Sequence, residues 1–196
     1  MKNTCTFKED SANLIVPNLW LGDYISSNNK EFLNKHNINH VIRLVDKLDF
    51  DINDQNQLKD KNFTKVSFGY IYQINNVTYY HFPITDKEMC NKDTKELFET
   101  TNFILSNIIK RSKSVLVHCK RGHHRSATVV GAYLLKYMTI DYNNVIPYIN
   151  SFRLCSLRRE TCLGKGLFEY SLYLDGKSCE KYSCNKEKSY HICKCK

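Results

Sequence analysis

The sequence has no run of 18 uncharged apolar residues and no basic-then-apolar leader, so neither a spanning helix nor a secretory signal is expected. It offers no small-domain disulfide framework either. The nine cysteines are odd in number and irregularly spaced. Cys179, Cys184, Cys193 and Cys195, with His191 among them, are separated by four, eight and one residues. Zinc sites use tighter C-x2–4-C pairs, so no metal is expected there. Asp46, Asp49, Asp51, Asp54 and Asp60 lack the Asp-x-Asp-x-Asp-Gly order and closing Glu of a calcium loop. No metal or cofactor is therefore expected. The expected setting is cytoplasmic, reducing and intracellular, with the nucleus also open, and Cys90, Cys155 and Cys162 are expected to pack as small apolar groups.

At 196 residues the chain is most economically one domain with a real core. Its formal charge of +9 is uneven: residues 176–196 hold six Lys against Glu180 and Glu187, so +4 sits there and +5 elsewhere. Basic surface steers anionic partners, phosphorylated substrates among them. Charge by itself would also suit nucleic acid or acidic lipid, and it carries no information on oligomeric state.

One stretch organises the rest. Residues 114–138 read SVLVHCKRGHHRSATVVGAYLLKYM, an apolar strand, a short loop and a helix that is apolar almost all round. Strand, loop and helix in succession aim loop N–H groups and a helix N-terminus at one point, which makes an anion cradle. The thiolate of Cys119, at the base of that cradle, would be stabilised by the helix dipole and the loop amides. Arg125, six positions on, can fold back and grip two phosphate oxygens with its planar fork. Lys120, Arg121, Gly122, His123, His124 and Arg125 would offer their N–H groups to the same oxygens, with Gly122 taking a backbone shape a side chain would hinder. His118, ending the strand, is read as ordering the loop.

His118-Cys119-Lys120-Arg121-Gly122-His123-His124-Arg125-Ser126 resembles the H-C-x-x-G-x-x-R-S/T signature of cysteine-dependent phosphatases, and its context is most similar to the compact dual-specificity phosphatases. The resemblance covers roughly residues 13–174. It implies an α/β fold with a central mixed, mainly parallel sheet flanked by helices on both faces. It implies Cys119 as nucleophile through a phosphocysteine, and Ser126 as the hydroxyl that bonds the sulfur. Asp86, 33 residues upstream and following HFPIT, falls where the family carries its general acid. Glu88 and Asp93 are its rivals, the first read as a solvated charge and the second as a helix cap. Two positions depart from the common wording: Arg121 stands where a small residue is frequent, and His124 where Ser or Gly is usual.

The rest of the chain fits around that loop. Residues 1–12 form an N-terminal arm, 13–175 the catalytic domain with an insertion at about 46–64, and 176–196 a basic Cys/Lys-rich tail. Strands are predicted at 14–16 and 19–21 around a Pro17-Asn18 turn, and at 39–45. A hairpin is predicted from 65–74 and 77–84 around Asn75-Asn76. Helices are expected at 27–36, from Asp93-Thr94-Lys95-Glu96 to about Lys110, from Ala127 to Met138, from an N-cap at Asn144, and, with Leu163, Leu167, Tyr170, Ser171 and Leu174 on one side, closing near Asp175. Starting at Asn144 keeps Pro147 in a first turn, where it is tolerated.

The function these residues imply is metal-independent hydrolysis of phosphotyrosine, and of phosphoserine or phosphothreonine, in protein substrates. No nucleic-acid partner is expected. The alternatives are the same chemistry on a phosphoinositide, an inositol phosphate or an RNA 5′ end, or a phosphate-binding module without turnover.

Overall fold

The computed structural model describes residues 11–48, 59, 61–66, 68–91 and 93–176. The first ten residues of the arm, most of the acidic insertion and the tail from residue 177 lie outside the described residues.

Seven strands make one mixed sheet: β1 (Ala12–Val16), β2 (Leu19–Gly22), β3 (Ile38–Arg43), β4 (Thr64–Val66), β5 (Gly69–Ile74), β6 (Val77–His81) and β7 (Ser114–His118), in the order β1-β2-β7-β3-β6-β5-β4. Parallel pairing is confined to the four central strands β2, β7, β3 and β6; β1, β5 and β4 are antiparallel additions at the two edges. Among the described residues seven helices are bounded: α1 (Tyr24–Asn28), α2 (Lys30–Lys35), α3 (Asp86–Asn91), α4 (Lys95–Lys110), α5 (His124–Tyr137), α6 (Tyr142–Phe152) and α7 (Cys162–Leu174). None of the described helices is long and apolar enough to cross a membrane.

Alternation along the central strands divides the core in two. Val115 and Val117 of β7 face the larger cluster, with Phe98, Leu105, Val130, Leu134, Ile149 and Leu167 from α4 to α7. Leu116 faces the other way, towards Leu33, Val41, Tyr72 and Tyr79. A sheet covered on both faces needs consecutive apolar residues in its central strands, and Val115, Leu116 and Val117 of β7 supply them. Behind the sheet, Tyr170 of α7 donates to Glu99 of α4 at 2.6 Å and accepts from Asn102 at 2.9 Å, while Lys136 of α5 pairs with Glu99. These bonds lock three helices together where the core is polar.

The turns follow the asparagines. Asn18 (φ 68°), Asn75 (φ 49°) and Asn76 (φ 63°) take the left-handed shape at the two hairpin turns, which Asn tolerates better than most residues. Four expectations need correction. The helix expected at 27–36 is two, because Asn29 is non-helical (ψ 98°) and caps α2 by accepting from Phe32 N at 3.0 Å. The 65–74 strand is two strands, β4 and β5, paired antiparallel with each other. α6 starts from Asp141, whose side chain accepts from Asn143 and Asn144 N, so Pro147 lies inside the helix. The carbonyl that a proline nitrogen leaves without its helical partner is that of Asn143, and Arg159 Nη2 donates to it instead. Finally, Cys90 of α3 and Cys162 of α7 are disulfide-bonded across a Cα separation of 5.3 Å, and Cys155 is bonded as well. The expectation that Cys90, Cys155 and Cys162 pack as separate small apolar groups does not describe them; Cys119 is the free cysteine among the described residues.

The register sets the site. Gly22, His118, Arg43 and His81 lie side by side at the carboxyl ends of the four parallel strands. In open α/β sheets that end is where ligands bind.

Candidate active site

β7 delivers Cys119 to this edge almost wholly buried, 3% exposed, and the chain then crosses four residues to the start of α5. Ser126, in the first turn of α5, donates its hydroxyl to Cys119 Sγ at 3.3 Å. The loop between them is held on all sides by its backbone. Tyr24 N donates to Lys120 O at 3.3 Å. Arg153, 3% exposed, donates through Nη2 to Arg121 O at 3.0 Å and through Nη1 to Asn13 Oδ1 at 2.8 Å. Gly122 takes φ +69°, and a Cβ there would meet the Gly22 backbone at 2.5 Å and Arg153 Nη2 at 2.8 Å. Both the conformation and the space require glycine at this position.

His118 is fully buried, and its Nδ1 donates to Cys119 O at 3.2 Å. Burial first, then the charge of Arg43, push its pKa down to about 3 against the opposing pull of that bond. The ring is therefore neutral and serves as a fixed donor beneath the loop. Arg43 itself is 2% exposed and donates to Tyr72 Oη at 3.1 Å.

Asp86 stands over this loop from the first turn of α3. Thr85 and Glu88 hold that helix start reciprocally: Thr85 N and Oγ1 donate to Glu88 Oε2 at 2.8 and 2.9 Å, and Glu88 N donates to Thr85 Oγ1 at 3.2 Å. Glu88 is thus engaged in a capping box, and Asp93 accepts from Lys95 N at 2.9 Å ahead of α4. Asp86 faces the loop: Oδ1 lies 2.7 Å from Arg125 Nε and Oδ2 lies 3.0 Å from His124 Nδ1. Arg125 Nη1 also donates to Ile84 O at 2.8 Å, so the guanidinium holds the acid segment in place.

Of the residues singled out from sequence, Cys119, Ser126, Arg125 and Asp86 converge on the loop, with Gly122 at its tightest point. The side chains of Lys120, Arg121 and His124 are exposed and that of His123 half-buried. Arg153, Arg43 and Tyr24 also build the site, and nothing in the one-dimensional pattern marks them. The Thr85-x-x-Glu88 box is a signal for α3 that the sequence does carry.

The sequence model of the dual specificity phosphatase catalytic domain matches residues 19–171. The chain is 26% identical over 146 residues to protein phosphatase Slingshot homolog 3 of Mus musculus, covering 74% of this chain and 19% of that protein. It is 27% identical over 143 residues to the serine/threonine/tyrosine-interacting protein of Homo sapiens, covering 72% of this chain and 56% of that one. The chain thus spans between about a fifth and just over half of these curated relatives. The crystal structure of human DUSP28 superposes with a TM-score of 0.67 at 18% identity, covering 85% of this chain and 97% of that one.

Proposed function

Because the chain belongs to the dual specificity phosphatase catalytic-domain family, we propose that it hydrolyses phosphotyrosine, and phosphoserine or phosphothreonine, in proteins through a phosphocysteine on Cys119. The catalytic unit is residues 13–175, with the insertion and the basic tail as appendages. Cys119 Sγ attacks phosphorus while the loop amides and Arg125 take the non-bridging oxygens. Asp86 gives its proton to the departing alkoxide or phenoxide. Water then breaks the S–P bond, Asp86 takes its proton, and the Ser126 hydroxyl stabilises the leaving sulfur.

The observation that carries this reading is the bond from Ser126 Oγ to Cys119 Sγ at 3.3 Å, with Arg125 and Asp86 joined at 2.7 Å beside the same loop. Nucleophile, clamp and proton donor are all supplied by one loop and the segment that covers it. The exposed Lys120 and Arg121 favour a second substrate class, phosphates of higher charge such as phosphoinositides.

The test is turnover on a panel of phosphopeptides, phosphoinositides and p-nitrophenyl phosphate, with Cys119→Ser as the blank. Release from phosphopeptides that vanishes in the blank supports the proposal. Release confined to phosphoinositides assigns the same chemistry to lipid. No release from any of them identifies a phosphate-binding module.

A further inference from the structure

His124 is the unexplained member of the loop. Its neighbours Cys119, Gly122, Arg125 and Ser126 each have a part in the proposed chemistry, while the exposed His124 ring meets Asp86 at 3.0 Å. Each carboxylate oxygen of Asp86 has its own partner: Oδ1 is with Arg125 and Oδ2 with His124. The two partners are consecutive residues in the first turn of α5, where Thr128 Oγ1 fixes the His124 carbonyl at 2.8 Å.

These two contacts differ in what happens when substrate arrives. A phosphate dianion entering the cradle competes directly with Asp86 for Arg125, since the guanidinium is its clamp. It does not compete for His124. The contact to His124 is the one that can keep the acid over the loop at the moment it is needed.

The chemistry of the ring suits that task. Asp86 must be a carboxylic acid in the first half of the proposed reaction and a carboxylate in the second. A lysine or arginine could only donate to it. An imidazole nitrogen donates to a carboxylate as N–H and accepts from a carboxylic acid as a bare nitrogen, so it can follow both states. The side chain is 56% exposed, which lets its protons exchange with water between the two halves.

We propose that His124 is a positioning residue for the general acid: it holds Asp86 in both of its protonation states after the substrate phosphate has displaced it from Arg125. The proposal rests on the phosphatase reading above and names a residue by which this chain would favour substrates with poor leaving groups.

The experiment compares His124→Ala, His124→Asn, Asp86→Asn and the Asp86→Asn/His124→Ala double variant on two substrates, a phosphoserine peptide and p-nitrophenyl phosphate. The expected result for His124→Ala is a loss of about tenfold in kcat/KM on the peptide, part of what a general acid contributes, and little change on the activated aryl ester. His124→Asn, whose amide can also donate and accept, should recover most of that loss. The double variant should be no slower than Asp86→Asn alone. Equal loss on both substrates, or losses that multiply in the double variant, overturns the proposal. Nitrogen-15 spectra of the imidazole give a readout independent of turnover. Wild type should carry the His124 proton on Nδ1, and Asp86→Ala, which removes the acceptor altogether, should shift it towards Nε2. An unchanged spectrum overturns the proposal even if the protein hydrolyses nothing, whereas absence of turnover with the expected spectral change refutes the phosphatase reading alone.

Discussion

Asp86 Oδ1 lies 2.7 Å from Arg125 Nε, so the acid of the proposed reaction rests on the cation that would grip the phosphate. Arg125 is thus paired with Asp86 before any phosphate is bound. Substrate binding and release of Asp86 from Arg125 are then one event, and the negative charge of Asp86 opposes every oxyanion that enters.

Asp86→Asn should therefore separate binding from chemistry. Affinity for tungstate or inorganic phosphate, measured by calorimetry, should rise by about threefold to tenfold as the competing charge is removed. Turnover of substrates with poor leaving groups should fall by about 10²–10³-fold, with activated aryl phosphates least affected. Weaker oxyanion binding in the variant would contradict the arrangement.

Gly122→Ala should be the most damaging methyl group in the loop. The residue sits at φ +69°, and the added carbon would meet the Gly22 backbone at 2.5 Å. The backbone strain alone costs about 1–3 kcal/mol, and the clash adds to it. Urea unfolding should show the loss of stability, and oxyanion binding should weaken because the loop can no longer close against β2.

His118 makes the fold sensitive to acid. Burial and the charge of Arg43 push its pKa down to about 3, from 6.5 in the unfolded chain. The unfolded state therefore binds a proton that the native state refuses. The stability from keeping this ring neutral is fully present above pH 6.5 and is lost as pH falls towards 3, by several kcal/mol in all. In His118→Gln the slope of stability against pH across that window should flatten, whatever the variant's absolute stability. An unchanged slope would place the acid sensitivity elsewhere.

The Cys90–Cys162 bond closes a sequence separation of 72 residues and ties α3, the helix that carries Asp86, to α7. Its reduction should lower the unfolding free energy by about 2–4 kcal/mol. Cys90→Ala should show a similar loss, and what reductant still does to it should be confined to the bond of Cys155. Equal stability with and without reductant in the wild type would show that the two thiols are not bonded in solution.

Much of this site could be read in one dimension because its chemistry is local. Cys119, Gly122, Arg125 and Ser126 lie within eight residues, and a strand before them with a helix after them leaves few ways to arrange the backbone. The turn asparagines were legible for the same reason: a residue that tolerates positive φ marks the place where the chain reverses. What was not legible depends on contacts across the sequence. Arg153 reaches Asn13, 140 positions away, and only the packing of α6 beside β1 brings them together. The interior position of Pro147 reversed a sound local rule, because Arg159, from outside the helix, takes the carbonyl that the rule leaves without a partner. The Cys90–Cys162 pairing was beyond reach for a similar reason, since spacing by itself cannot select partners among nine cysteines.

The central claim is a covalent step at one sulfur, and it is tested most directly by trapping it. Acid quench of the protein during turnover of p-nitrophenyl phosphate, followed by digestion and mass spectrometry, should find one phosphoryl group on the peptide carrying Cys119. The adduct should accumulate further in Ser126→Ala, where the departing sulfur has lost its hydroxyl partner, and be absent in Cys119→Ser. Steady phosphate release with no adduct on that peptide in either the wild type or Ser126→Ala would contradict the account.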